Sequence, residues 1–194
     1  MSNNAFVVYP GDFLSYEKFE RKLARILGDR KFVVRCFEDA NGFIEKFCLK
    51  KSVDFLILES WEKAILGCTH AVFFEDRDEY FSIKQIVWDM DIPYRTIDLE
   101  LTKVVNKDRG EAYDAYIGRG TIWGNPYQIG SDGDRDEVIR KFKYDFENGL
   151  LKVSADFESQ MSLIKGKRLA CHCKPAACHG DVIAAYLNSL DDGK

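Results

Sequence analysis

The sequence predicts an α/β protein of two lobes: a Rossmann-like parallel sheet in residues 1–100 and a smaller α/β lobe in residues 113–194. Three observations carry this expectation. Through the first 98 residues, apolar runs of strand length alternate with stretches whose apolar residues recur at helical spacing. A polar stretch without period, Glu100–Glu111 (ELTKVVNKDRGE), then reads as a joint. Beyond it, two short apolar runs lead into a glycine-rich loop and a cysteine-rich turn, each followed by a helical pattern.

Ala5–Tyr9 (AFVVY) is the first strand, ended by Pro10-Gly11. Ser15 as N-cap, the stripe Phe19, Leu23, Ile26 and Leu27, and Gly28 as the stop define the first helix. Lys31–Arg35 (KFVVR) is the second strand and Ala40–Lys51 the helix after it. Asp54–Leu58 (DFLIL) and His70–Phe74 (HAVFF) read as two buried strands. Ile83, Ile86, Val87 and Met90 form a helical stripe closed by Ile92-Pro93, and Tyr94–Asp98 is the last strand of the lobe. In the second lobe, Ala115–Ile117 is a short strand running into Gly118–Gly130 (GRGTIWGNPYQIG). Asp134 and Glu137 fit a capping box for a helix with Val138, Phe142 and Phe146 on one face and Gly149 at its end. A further helix covers Ala155–Ile164, and Arg168–Cys171 is a strand. The final helix buries Val182, Ile183, Tyr186, Leu187 and Leu190.

Composition limits the function classes. With 194 residues, 46% hydrophobic and 13% aromatic, the chain can bury a core, which excludes wholesale disorder. No stretch approaches the roughly 18 to 20 uncharged apolar residues of a membrane span. The start, MSNNAFVVYPGD, lacks the basic and apolar regions of a signal peptide, so a cytoplasmic address is expected. Six cysteines in that compartment are reduced thiols or metal ligands. The formal charge of −4 comes wholly from residues 1–100, which hold 14 Lys/Arg against 18 Asp/Glu. A broad face for duplex DNA is therefore not expected, whereas a local basic pocket for a small anion or one flipped nucleotide is.

The densest chemistry lies at Cys171–Asp181, CHCKPAACHGD, a strand end, a turn at Pro175 and a helix start. Cys171, Cys173, Cys178 and His179 offer four nitrogen and sulfur donors, a supply that suits zinc, although the spacing is tighter than in usual zinc knuckles. Two other readings stand beside it. Small cysteines could pack behind a buried turn, or the helix start could be an anion site with His179 and Asp181 facing the ligand. The second segment is Gly118–Tyr127. Gly118, Gly120 and Gly124 let a backbone approach a ligand, Arg119 can fork onto a phosphate, Trp123 and Tyr127 offer flat surfaces, and Asn125 can pair with a base edge. The third follows the first strand, where Gly11, Asp12 and the helix start at Ser15 lie at a sheet's carboxyl edge, the usual ligand side. Glu38 and Asp39 stand where an acidic residue binds a ribose, and Ser82 closes the loop 76–82. Taken singly, each of these reads more simply as a capped, solvated loop. His70 reads as structural, Cys36, Cys48 and Cys68 as core, and Trp61 and Trp88 as packing.

Two resemblances rest on these residues. Residues 113–190 resemble an uncharacterised family of phage and bacterial proteins through Gly118-Arg119-Gly120, Trp123–Tyr127, and the C-x-C-x-P and C-H-G-D runs at Cys171, Cys173, Pro175 and Cys178–Asp181. That resemblance brings no activity with it and implies a phage origin, hence the cytoplasm of a bacterial or phage-infected cell. Residues 5–98 more loosely resemble SLOG-type Rossmann domains through VVYPGDF, THAVFFED and IPYRTID, which implies nucleotide binding. The G-G-x-G-T-x-x-E signature of the phosphoribohydrolases in that group is missing, so the hydrolase activity does not carry over.

The expected function is an enzyme acting at the anomeric carbon of a nucleotide, nucleotide-sugar or modified nucleobase. Asp181 is the candidate carboxylate, His179 the candidate acid and Arg119 the phosphate ligand. Gly11, Asp12, Ser82, Gly118, Gly120, Trp123, Asn125 and Tyr127 would contribute to nucleotide binding. Its partners would be that ligand, or DNA through a flipped nucleotide, with no membrane and with homo-oligomerisation left open. The rivals are a nucleotide sensor or sponge without turnover and a small zinc-stapled interaction module.

Overall fold

Two strands that are apolar on both faces organise the first unit. In the computed structural model, which describes residues 3–193, β1 (Asn3–Val8) and β4 (His70–Glu75) pair in parallel with Ala5 opposite His70 and Val8 opposite Phe73. Burial of both faces is what the centre of a parallel sheet demands. β2 (Phe32–Cys36) lies beside β1, β3 (Asp54–Ile57) beside β2, and β5 (Tyr94–Asp98) beside β4, giving the order β3-β2-β1-β4-β5 with every pair parallel. The chain winds outward from β1 in one direction and then, from β4, in the other, so the switch point falls between β1 and β4. This unit comprises Met1–Leu99 with Ser189–Lys194, and the second comprises Glu100–Asn188.

Alternation along the central strands divides the first core in two. Phe6, Val8, Ala71 and Phe73 face Ala64 and Ile65 of α3 (Trp61–Ile65) and Val87 of α4 (Phe81–Asp89). On the other face Phe74 meets Phe19 of α1 (Tyr16–Leu27) with ring centroids 4.9 Å apart, and Tyr9 stacks on Phe43 of α2 (Phe43–Lys51) at 5.3 Å. Such ring pairs add to burial because edge and face quadrupoles complement one another.

Several sequence expectations shift here for local reasons. α2 starts at Phe43 rather than Ala40, because the Asp39 carboxylate accepts from the N–H groups of Ile44 (3.0 Å) and Glu45 (2.9 Å) and Gly42 takes φ +68°. β3, expected to be buried, is an edge strand with Leu56 and Ile57 exposed. Ser15 is the N-cap of α1, but its hydroxyl makes no cap bond. Trp61 packs against the core as expected, whereas Trp88 is 71% exposed.

In the second unit the central strand is β8 (Arg168–Cys171), flanked in parallel by β6 (Lys103–Asn106) and β7 (Ala115–Tyr116). The stretch read as a joint therefore supplies a strand: Val105 and Asn106 are buried, and Lys103 pairs with Arg168. Helices α5 (Arg135–Glu147), α6 (Phe157–Ile164) and α7 (His179–Ser189) complete the unit, around a core that includes Ile117, Phe142, Phe146, Leu169 and Ile183. Asp134 caps α5 by accepting from the Glu137 N–H at 2.9 Å. α6 is preceded by a 3₁₀ turn over Lys152–Asp156, where a longer helix from Ala155 was expected, and Leu190 lies beyond α7 and is exposed. Asn188 ties the end of α7 to the residue before β6, with Oδ1 accepting from the Thr102 N–H (2.8 Å) and Nδ2 donating to its carbonyl (3.1 Å). No helix among the described residues is long and apolar enough to cross a membrane.

The first turn of α7 sits directly on the sheet. A Cβ at Gly180 would lie 2.7 Å from Ile117 Cδ1 and 3.1 and 3.2 Å from the two Val104 methyls, all in packed surroundings. Gly180→Ala should therefore lower stability by about 1–3 kcal/mol in urea unfolding, the usual range for overpacking, despite alanine's better helix propensity. An unchanged midpoint would contradict this packing.

Candidate functional site

Parallel pairing sends two loops out of one edge of the second sheet. Tyr116 lies opposite Ala170, and the Ile117 N–H donates to the Ala170 carbonyl at 3.0 Å, so the loop beginning at Gly118 and the turn beginning at His172 start side by side. Between them lies a crevice of about 260 Å³, near the lower end of small-molecule sites. The first loop contributes Gly118, Arg119, Asn125 and Tyr127. The second contributes Cys171, His172, Cys173, Cys178 and His179. Arg135, Val138 and Ile139 of α5 form a further wall. Among the described residues, no Asp or Glu lines the crevice.

The glycine-rich loop is held by its own contacts. A Cβ at Gly118 would lie 2.1 Å from the Tyr116 hydroxyl oxygen, and one at Gly124 would lie 2.7 Å from the Gly118 carbonyl oxygen. These two glycines let parts of the loop press on each other. Gly120 is exposed and has φ +91°, a conformation that L side chains rarely adopt. Asn125, expected to read a ligand, braces the loop: Nδ2 donates to the Val138 carbonyl (3.2 Å) and Oδ1 accepts from the Tyr127 N–H (2.9 Å). The Tyr127 hydroxyl donates to Asp145 at 2.6 Å, which leaves the ring on the crevice wall. Trp123 is packed against the hydrophobic core and does not line the crevice. Arg119 is exposed, with Nη2 donating to the Tyr127 carbonyl at 3.1 Å, and Arg135 Nη1 donates to the Ala177 carbonyl at 3.2 Å. Each guanidinium has five N–H donors, so both keep capacity for an anion.

The cysteine-rich turn brings three of its four donors together. One ligand atom from each of Cys171, Cys178 and His179 lies within 4.8 Å of the others, and all three residues are buried. Cys173 is half-buried and stands outside this group. Within the thiol set, the Cys178 hydrogen bond, helped by the Cys173 peptide N–H, His179 and the Cys173 thiol, pulls the Cys171 thiol well below the usual thiol range against its burial. Cys178 is pushed up by that same bond and by burial, and Cys173 is raised by burial and then by the neighbouring Cys171 charge. His179 Nε2 lies 2.9 Å from the Ile117 carbonyl, which can only accept, so Nε2 carries the proton and a neutral ring keeps its lone pair on Nδ1. The ring also meets Phe142 edge-on at 5.1 Å. Asp181 does not line the crevice. Its Oδ2 accepts from the Cys178 N–H at 2.9 Å, and its Oδ1 pairs with Lys174 at 2.6 Å.

His172 was not singled out by the sequence, yet both of its ring nitrogens have side-chain partners at the crevice. Its Nδ1 lies 2.8 and 2.9 Å from the two Asp108 oxygens, and its Nε2 lies 3.1 Å from the Tyr116 hydroxyl. A carboxylate on one nitrogen fixes the ring's tautomer and orientation. Only its place between two cysteines of the motif could have drawn attention to it, because Asp108 lies 64 residues away.

The remaining expected residues belong to the first unit. Gly11 and Asp12 are exposed, and the Asn41 side chain donates to the Gly11 carbonyl at 2.9 Å. Ser82 is exposed in the first turn of α4. Asp39, which was expected to face a ribose, caps α2 and accepts from the Tyr9 hydroxyl. His70 bonds Thr69 through Nδ1 at 3.0 Å, and burial lowers its pKa. A groove of about 1000 Å³ runs past Arg25, Arg30, His70 and Arg95 at the amino ends of the strands, opposite to the edge where α/β sheets hold their ligands.

Comparison with known proteins assigns a family to each part of the chain. The minimal SLOG domain profile matches residues 2–105, and the profile described as a domain of unknown function (DUF4326) matches residues 102–189. An uncharacterised 12.4 kDa protein from the nrdA–td intergenic region of Enterobacteria phage T4 is 42% identical over 91 residues, covering 46% of this chain and 81% of that protein. No solved structure matches the chain.

Because Asn125 satisfies both a carbonyl and an N–H, Asn125→Ala should cost about 1–3 kcal/mol in urea unfolding. A loss below roughly 0.5 kcal/mol would leave its side chain free to act on a ligand instead.

Proposed function

We propose, for a chain that belongs to the minimal SLOG domain family, a nucleotide-binding enzyme that hydrolyses or transfers the glycosidic bond of a nucleotide or nucleotide-sugar in the crevice of its second unit. The SLOG domain itself points to a nucleotide-related function. The observation that carries the reading is the crevice's division of labour. Arg119 and Arg135 supply fixed positive charge with unused donors, while Ile129, Val138, Ile139 and the Tyr127 ring supply an apolar wall for a flat base. A phosphorylated nucleoside offers both complements in one molecule. The overall charge of −4 favours a free ligand over a nucleotide flipped out of DNA, since phosphate neutralisation dominates DNA affinity.

Cleavage at an anomeric carbon leaves a group that needs a proton. His172 is the donor in this reading, with Asp108 holding its far nitrogen and Tyr116 beside the near one. His179, the donor expected from sequence, has its Nε2–H committed to the Ile117 carbonyl. Asp181 acts as a brace between the turn and the helix rather than as the carboxylate of the reaction. A second reading, a sensor that binds a nucleotide without turning it over, is favoured by the absence of Asp or Glu from the lining. An oxocarbenium-like state calls for negative charge beside the ring.

Incubation with a panel of nucleotides and nucleotide-sugars, followed by mass spectrometry of bound and released species, separates the two. Arg119→Ala and Arg135→Ala should each weaken binding about 10- to 150-fold, the 1.5–3 kcal/mol of a charge-assisted hydrogen bond, with little change in Tm. His172→Asn should stop release of base or sugar while the ligand still binds. Tight binding without any released product would establish the sensor, and no binding by any panel member would remove both.

A further inference from the structure

We infer that Cys171, Cys178 and His179 form a three-ligand zinc centre that excludes Cys173 and leaves one coordination position for a ligand in the crevice. The donor atoms are already gathered. A tetrahedral zinc ion, with bonds of about 2.3 Å to sulfur and 2.0–2.1 Å to nitrogen, sets its donors about 3.5–3.8 Å apart. The three atoms lie within 4.8 Å of one another, so closing each pair by no more than about 1.3 Å completes the site. The ligands are also held firmly. Cys171 ends the central strand β8, Cys178 and His179 open α7, and their exposures are 4%, 2% and 5%.

The chemistry of the set is selective. Two thiolates with one imidazole suit zinc and do not suit magnesium or calcium, which take oxygen donors. The Ile117 carbonyl accepts from His179 Nε2, the outer-shell contact that fixes a metal-binding imidazole, and leaves Nδ1 as the donor atom. Each thiol binds as thiolate and gives its proton to solvent, so uptake of one zinc by the two thiols releases up to two protons. Cys173 stands outside the group: its peptide N–H donates to Cys171, and its thiol, which also meets the Cys171 sulfur, is shared with Arg135 and is not within reach of all three donors. Three protein ligands with an open position mark working metal centres, whereas four close a structural one. All three ligands line the crevice, so the open position faces whatever the crevice holds. The inference stands whether or not that ligand is a nucleotide.

The test uses the whole chain, purified under reducing conditions without added metal, then stripped with chelator and reloaded with cobalt(II). Elemental analysis should find about one zinc per chain, and the cobalt form should show thiolate-to-metal charge transfer in the near ultraviolet. Cys173→Ser and, as a control in the first unit, Cys48→Ser should keep the metal, while Cys171→Ser should lose at least nine-tenths of it. Imidazole added to the cobalt form should shift its visible spectrum by entering the open position. Wild-type protein that neither carries nor takes up zinc would overturn the centre, and this outcome needs no variant that might fail to fold. Loss of metal from Cys173→Ser, or a cobalt spectrum indifferent to imidazole, would overturn the open, three-ligand form. Nucleotide binding measured on the stripped protein keeps this result separate from the proposed function.

Discussion

The pairing of β7 with β8 determines where the second unit can do chemistry. Only two residues of β7 are in the ladder, yet they are parallel to β8 and in register with Leu169 and Ala170. Two parallel neighbours leave their loops at the same edge, so a glycine-rich segment and a cysteine-rich segment more than 40 residues apart come to share one crevice. An antiparallel β7 would have sent Arg119 to the opposite end of the sheet from Cys171. The Ile117 carbonyl, one step beyond the ladder, then reaches His179 Nε2, so the strand that directs the loop also sets the tautomer of the buried imidazole. Sheet register and side-chain protonation are thus coupled through one carbonyl group.

Close backbone approach is what lets such a small unit hold the site. Gly118 passes beneath the Tyr116 ring, Gly124 rests on the Gly118 carbonyl, and Gly180 brings the first turn of α7 onto Ile117 and Val104. Each lacks a side chain where the backbone makes its closest approach: Gly118 and Gly180 to residues of the sheet and its edge, Gly124 to the loop itself. Gly124 and Gly180 therefore serve packing rather than a ligand, whereas Gly118 both packs and lines the crevice.

Periodicity made most of the fold legible in the sequence. The strands around β1 and β4, the stripe of α1 and the Asp134 cap are local patterns, and each is found where the pattern put it. β6 escaped because Lys103-Val104-Val105-Asn106 is a short apolar run between charged residues, and only its ladder with β8 distinguishes it from a linker. β3 was misjudged because an apolar strand does not announce whether a neighbour covers it. In the site, the two motifs were legible as segments, but the duties of their side chains were not. Asn125, Trp123 and Asp181 carry residue types suited to ligand contact, yet each has a nearer partner within the fold: a carbonyl of α5, the core and a helix-start N–H. His172 escapes notice for the opposite reason, since what orients it is Asp108, which sequence distance conceals.

Asp181 also bears on what kind of anion site the crevice can be. A free helix start attracts anions because its first N–H groups lack partners and the macrodipole is positive there. In α7 the Cys178 N–H is taken by Asp181, the Asp181 N–H by the Cys178 carbonyl at 3.0 Å, and the carboxylate is itself balanced by Lys174. An internal anion thus already answers the helix start, and a second anion there would meet like charge. Attraction for a phosphate must come from Arg119 and Arg135, on the glycine-rich loop and α5. The crevice is in this way polarised, with guanidinium groups on its walls and sulfur and imidazole donors at the end of β8. The proposed nucleotide would present its phosphate to the first set and its glycosidic carbon or a lone pair to the second.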